Sequence, residues 1–508
     1  MMSQSITETI AMLPDGGSAD PVPITGVASY IFNNYVKRDE ETARRAAAQN
    51  RTDLYNDLGD ELMMGLIDKV FTDADVKRLR KHWVQFAKFN NPTKRIINEL
   101  ATVYQSKATR RVDGDQNNAI YQKVIAASRQ DEVFSQVNAM LLLHRAIFVR
   151  PRVRVVSKTH REPAIDIATP ADAYAIRHPL DPTYCVAVVI VTGYYGSSSL
   201  DDRFPAFEVW TDHEKFLLNS SGAVIPGSHI PHGLGSNPWL FLTIDPPQKE
   251  IWPRGSGADL VAGHLAIWFA NIQMLKETKS QNRQQIMTGD LTTGARGQVA
   301  DSEMPVELPD GATIQTVDMG VDTKQYRENA NHILEQMANN YGISAGVLHH
   351  QGVQSAEARE LMRAPIKEQR MQQIKVFREF EQRFVIMQSI VMNSDHRDMA
   401  FSPDGFMVKF GEVRTPLSPK ESLEVFEKAR TLGVTNTERY LMDEHGLTSM
   451  QARQWIAENV AVELVRNELL RPLAEINGTM AAENSSGKTP QENGAQSQIN
   501  NEEELDNG

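Results

Sequence analysis

Gly487-Lys488-Thr489 has the ending of a phosphate-binding loop, in which backbone amides cradle phosphates and Lys and Ser/Thr complete the grip. The glycine that loop needs at its start is replaced by Ala482, and the stretch sits in a polar, low-complexity tail rather than after a strand. The match is therefore read as chance. His349-His350 could ligate a metal, but adjacent side chains point apart unless the loop bends, so a polar loop is the better reading. Asp443-Glu444-His445 falls in a helix-rich segment and reads as a solvated face, and Asp201-Asp202 follows a Gly-Ser loop and reads as a turn. The chain has no HExxH, GxSxG or GxGxxG. No nucleophile, base and orienting group come together, so no catalytic residue, metal or cofactor is expected.

Charge placement is more informative. The 508 residues carry a net charge of -12. The first 29 residues contribute -3 and residues 478–508 contribute -5. Residues 288–322 hold seven acids against Arg296 alone, a balance of -6. Residues 73–111 carry +7 and residues 144–162 carry +5. The body is thus nearly neutral, with acidic ends, one acidic insert and local basic patches. Such a chain does not coat nucleic acid by simple attraction, although a local basic surface can still touch it.

Composition bounds the class. Hydrophobic residues make up 41% and charged residues 23%, ordinary values for a globular protein of several domains. Cys185 is the only cysteine, which excludes an intrachain disulfide and a cysteine-rich zinc site. No apolar run is long enough to span a bilayer, and no secretory signal pattern opens the chain, so no membrane partner is expected.

The elements that must position any site follow from periodicity. Residues 1–29 are polar with Gly, Pro and Ser and read as a flexible arm. Val76, Leu79, Trp83 and Phe86 make one helical stripe, and Asn91-Pro92 starts a second helix with Ile96, Leu100, Val103 and Tyr104 inward. A third helix is expected to end near His144. Residues 185–195, 206–211, 215–219 and 238–245 read as strands of an antiparallel, β-rich part. A helix is expected from Asp259 to Met287, roughly 40 Å long, with Val261, Leu265, Trp268, Ile272 and Leu275 as its seam. Lys276, Lys279 and Arg283 would share one face of it.

Glycines and prolines then interrupt 288–322, a second helix runs 323–341, and a loop follows. A very long helix covers Ser355 to Asn393, with Ile374, Phe377, Phe380, Phe384, Met387 and Val391 in its stripe and Pro365 placed to kink it. After a short strand at 406–410, the remainder is helical, with capping boxes Ser418/Glu421, Thr435/Glu438 and Thr448/Gln451. The overall class is α+β, mainly helical.

The order of these parts resembles the portal proteins of long-tailed phages, over roughly residues 30–475. The stretches that carry the resemblance are IINELATVY, HGLGSNPWLFLTID, the run from Glu250 to Asp290, YGISAGVLHHQGVQSAEARELM and GVTNTERYLMDEHGLTSMQA. No one string is diagnostic; their order, with an acidic insert between two helices and then a much longer helix, is what resembles the family.

The resemblance implies a portal fold. Residues 1–29 would be an arm, 30–257 the wing (helical, then β-rich), 258–287 stem helix 1, 288–322 the clip and 323–341 stem helix 2. Residues 342–355 would be the tunnel loop, 356–412 the long kinked helix of the wing, 413–477 the helical crown and 478–508 a disordered acidic tail. It implies a dodecameric ring of this chain at one capsid vertex of the virion, assembled in the host cytoplasm. That ring would conduct double-stranded DNA in packaging and ejection without reading sequence, dock the terminase large subunit and the head-tail adaptor, and meet major capsid and scaffold proteins. Lys276, Lys279, Arg283, His349, His350, Gln351 and Gln354 would face the channel. Asp290, Asp301, Glu303, Glu307 and Asp310 would meet partners at the clip. A capsid-associated scaffold or connector that is not a ring is the first alternative, and an enzyme of phage DNA processing the second.

Overall fold

The computed structural model describes residues 24–70, 90–157, 160–178, 181, 184–193, 205–247, 250–253, 255, 257–280, 283–288, 313–318, 323–344, 347, 356–411, 426–428, 430–433, 435–445 and 449–460. The chain divides into two compact units, Met1–Arg414 and Thr415–Gly508. The fold is α+β and mainly helical.

The first unit opens with helix α1 (Ile24–Ile31) and a π-helical turn (Phe32–Val36). The expected arm is therefore shorter than 1–29, because Val27, Ala28, Ile31 and Phe32 are apolar and buried against the sheet residues Phe207 and Val209. Helices α2 (Asp39–Tyr55) and α3 (Asp60–Val70) follow. The stripe Val76 to Phe86 lies outside the described residues. Helix α4 (Pro92–Leu100) starts where the Asn-Pro pair places it. The Asn91 side chain accepts from the Lys94 amide at 2.8 Å and donates to the Leu54 carbonyl at 2.7 Å and to Asp57 at 2.7 Å. One side chain thus caps α4 and ties it to the end of α2.

Strand β1 (Thr109–Arg111) and helices α5 (Asp115–Ala127) and α6 (Gln130–His144) lead into the β-rich part. Strand β2 (Ala146–Val155) pairs with β3 (Arg161–Ala168), so the basic stretch 144–162 is largely a hairpin. Arg150 and Arg152 both reach Asp166, at 2.6 and 2.7 Å. Strands β4 (Ala173–Arg177), β5 (Cys185–Val191), β6 (Phe207–Trp210), β7 (Glu214–Leu218) and β8 (Ile230–Pro231) form an antiparallel meander in chain order. Strand β9 (Leu240–Thr243) returns to β2 to make a three-stranded sheet.

Helix α7 (Ala258–Ser280) is followed by strands β10 (Arg283–Thr288) and β11 (Thr313–Asp318), then helix α8 (Thr323–Asn340). Helix α9 (Ala356–Asp395) is continuous over 40 residues, about 60 Å, and Pro365 lies inside it. A 3-10 turn and strand β12 (Met407–Lys409), paired to β1, close the unit.

The stripe of α9 is the spine of the main core. Phe377, Phe380 and Phe384 are fully buried and pack with Phe134 of α6 and with Tyr104. Ring centroids lie 5.0 Å apart for Phe134–Phe384 and 5.2 Å for Tyr104–Phe377, both edge-to-face.

The second unit contains helix α10 (Thr437–His445) and a helix over 449–460. Asn436, rather than Thr435, caps α10: its Oδ1 accepts from the Arg439 amide at 2.8 Å. Glu438 does not close a capping box but binds Ser449 at 2.6 Å and Arg453 at 2.9 Å, joining the two helices. Ser418, Glu421 and Thr448 lie outside the described residues.

Candidate functional site

Helices α7 and α8 pack side by side as an antiparallel pair. Helix α7 buries Leu260, His264, Ile267, Trp268 and Ile272 and is enclosed by other elements except along the side of Ala258 and Ala262, which are exposed. It packs against α2, α3, α4 and α8. Leu54, Met63, Ile67, Trp268 and Ile272 form one fully buried cluster on its α3 side.

Glycine 263 brings the pair together: a Cβ there would lie 2.3 Å from Met337 Sδ of α8. The start of α7 is tied to the end of α8 by Asp259, which accepts from Tyr341 Oη at 3.1 Å and from Asn340 Nδ2 at 3.3 Å. Burial, then the Asp259 carboxylate, pushes the Tyr341 hydroxyl pKa up. Beyond this contact, α8 buries Ala330, Leu334, Met337 and Ala338. Its exposed residues are charged at the start of the helix, with Lys324, Arg327 and Glu328 beside Gln325, and mostly neutral amides after it, with Asn329, Asn331, His332, Gln336 and Asn339.

One buried histidine anchors α7 to the body, and a second joins α6 to α2. His264 Nδ1 lies 2.8 Å from Thr93 Oγ1 on α4, and its ring meets Trp268 edge-on at 4.3 Å. Trp268 Nε1 donates to the Asn90 carbonyl at 3.0 Å. His144 Nε2, at the end of α6, lies 3.1 Å from Thr52 Oγ1 on α2. Burial lowers His264 to about 4 and His144 to about 3, the latter helped by the Arg51 charge. Both rings are neutral at ordinary pH and act as fixed hydrogen-bonding wedges.

Where α9 crosses α6 and β1, a charged group stands in the aromatic core. Glu381, 1% exposed, receives Arg110 Nε at 2.5 Å, Arg110 Nη2 at 3.0 Å and the Tyr104 hydroxyl at 2.7 Å. Arg110 also donates to Asp131. Burial works against the Arg110 charge, but the Glu381 carboxylate outweighs it and raises its pKa. Burial, then Glu381, holds the Tyr104 hydroxyl protonated. The sequence does carry a signal for this network, since Glu381 sits four residues after Phe377 and three before Phe384, on the apolar stripe itself.

The expected site residues divide as follows. Lys276 and Lys279 stand in the last turns of α7, with side chains outside the described set. Arg283 is not on that helix. α7 ends at Ser280, and Arg283 is the first residue of β10, opposite Asp318 of β11. The three cations therefore do not share one helical face. Residues 281–288 contain no helix breaker, but Arg283–Thr288 pair with Thr313–Asp318, a segment rich in β-branched residues, and form a strand. His349, His350, Gln351 and Gln354 lie outside the described residues, as do Asp290, Asp301, Glu303, Glu307 and Asp310. Among the described residues no group of His, Cys, Asp and Glu could hold a metal, and no helix is long and apolar enough to cross a membrane.

No protein-family profile matches the chain, and no curated protein matches it. Among solved structures, the chain is similar to one in the neck of an empty GTA particle computed with C6 symmetry, at 10% identity and a TM-score of 0.39, over 74% of this chain and 94% of that one. It is similar to a chain in the virion of a native gene transfer agent (GTA) particle, at 11% identity and 0.38, over 74% and 94%. A chain in the neck of a native GTA particle computed with C12 symmetry gives 10% identity and 0.41, over 73% and 94%.

Proposed function

We propose that this chain is the portal subunit of a tailed phage or phage-like particle. A homo-oligomeric ring of it would stand at one capsid vertex and pass double-stranded DNA. The observation that carries the reading is the order of elements in the first unit. An antiparallel helix pair, α7 and α8, brackets a strand hairpin and an acidic insert, and is followed by the 40-residue helix α9. That is the order of the stem, clip and long wing helix in the family whose sequence pattern this chain resembles.

Roles follow from this reading. The largely enclosed α7 would be structural and the amide-rich later turns of α8 would be free to line a surface. Lys276, Lys279 and Arg283 near the far end of the pair would touch phosphates without reading sequence, as would His349, His350, Gln351 and Gln354 at the tunnel loop. Neutral amides suit DNA that must slide, because many ion pairs would hold it. Asp290, Asp301, Glu303, Glu307 and Asp310 would meet the terminase large subunit and then the head-tail adaptor; capsid and scaffold proteins would meet the wing.

The clip role is tested by replacing those five acids with their amides in the producing phage or particle. Packaged DNA and tailed particles should both fall. Normal packaging with normal tail attachment would overturn it.

A further inference from the structure

Strands β1 and β12 form a two-stranded sheet with only each other as strand partners among the described residues. Burial alternates along it. Ala108, Arg110, Val112 and Phe410 are buried and Val408 is half-buried, whereas Lys107, Thr109, Arg111, Met407 and Lys409 are exposed. The register sets Thr109 against Lys409 and Arg111 against Met407. Lys107 continues the alternation just before β1, where Gly411 keeps the two chain segments close: a Cβ on Gly411 would lie 3.1 Å from the Lys107 carbonyl oxygen. The outer face is a ladder of three levels about 7 Å apart, with one cation on each: Lys107, Lys409 and Arg111.

None of these three cations has a hydrogen bond or an ion pair with a described residue. That sets them apart from the cations around them. Arg110 is held by Glu381 and Asp131, and Arg370 by the carbonyls of Thr102 and Gly411. Three unpaired charges on one exposed face are the complement of an anionic partner. The ladder is also short. Beyond Arg111 the Asp113 amide donates to the Asp404 carbonyl at 2.9 Å, and the exposed residues there are Asp113, Asp115 and Asp404. A continuous phosphate backbone laid along the ladder would run onto these carboxylates; a segment of three acids would not. An extended peptide repeats its side chains on one side about every 7 Å, so carboxylates at alternate positions meet the three levels in turn. Met407, 63% exposed beside Arg111, adds an apolar contact of the kind peptides use.

We propose that the outer face of the β1–β12 ribbon docks a short acidic segment of a partner protein, held extended, with carboxylates at alternate positions against Lys107, Lys409 and Arg111. One chain supplies the whole face, so the proposal stands or falls apart from the ring reading.

The test uses the full chain at low salt and a fluorescently labelled peptide with glutamate at three alternate positions separated by serine, read by anisotropy. The peptide with glutamine in place of glutamate should bind about tenfold more weakly. K107Q/R111Q/K409Q should lose about tenfold in affinity for the glutamate peptide and leave the glutamine peptide unaffected. T109E, which keeps all three cations and sets a carboxylate on the middle level, should lose as much. Equal binding of the two peptides overturns the proposal, and that readout needs no variant. Unchanged glutamate-peptide affinity in either variant, with thermal melts matching the wild type, overturns it as well. Tighter binding of a DNA duplex than of the glutamate peptide, lost in K107Q/R111Q/K409Q, would assign the face to phosphate instead. Self-association of the wild type that the same variant abolishes would assign it to a second copy; either result overturns the proposal.

Discussion

Arg110 and Glu381 meet through two hydrogen bonds, 2.5 and 3.0 Å, with both side chains 1% exposed. They join β1 to the middle of α9 inside an aromatic core, so the position of the long helix depends on a charge pair that no water reaches. A buried pair of this kind adds little over well-packed apolar residues, but breaking it strands a charge. E381Q should therefore cost about 3–5 kcal/mol. R110M/E381L, which removes both charges, should recover most of that. Urea midpoints of the wild type and the two variants check it. A single variant as stable as the wild type would contradict the account of the core.

The packing of α7 against α8 is set by Gly263. Alanine there forces Met337 out of its place against α7, at a cost of about 1–3 kcal/mol. Met337→Ala alone should also destabilise, by leaving a cavity. The double variant should be more stable than the sum of the two singles, because the new methyl fills part of that cavity. Additive losses in thermal melts would show that the two residues are not in contact.

Acid should weaken the protein through two named groups. His264 and His144 have folded pKa values lowered to about 4 and about 3, below the ordinary 6.5 of the unfolded chain. Above that ordinary value neither state takes the proton and nothing is lost. As pH falls below it, the unfolded chain binds protons that the folded chain refuses. Stability then drops by about 1.4 kcal/mol per pH unit for each histidine. The loss stops near pH 4 for His264 and continues to near pH 3 for His144. H144Q/H264Q should flatten this slope, read as urea midpoints at pH 7.5, 5.5 and 4.5. An unchanged slope would remove the histidines from the acid response.

Asn91 caps α4 and holds the end of α2 with the same side chain. N91A should cost about 1–2 kcal/mol. N91D keeps the cap acceptor but loses the donor and sets a second carboxylate against Asp57, so it should cost at least as much as N91A. Thermal melts of the three proteins rank them, and N91A equal to the wild type would overturn the capping role.

How far the sequence shows this fold depends on where each element gets its stability. The stripe of α9 is legible because six aromatic and aliphatic residues recur at helical spacing; Ile374 is partly buried and the other five are buried. The start of α4 is legible because Asn-Pro is local chemistry. The end of α7 is not, because the sequence reads as helix to Met287, and only the pairing of Arg283–Thr288 with Thr313–Asp318, far along the chain, makes a strand there. Strands β2 and β3 hide for a related reason. Their arginines read as a basic patch, and only the fold brings Asp166 across to two of them. Glu381 was visible as a charge on an apolar stripe, but its partners Arg110 and Tyr104 lie more than 270 residues away.

The central claim is the ring. Negative-stain microscopy of the purified full-length chain tests it most directly. The account predicts closed rings of one size with a stain-filled central hole. A population of single chains or small open assemblies, with no hole under any assembly condition, would contradict it.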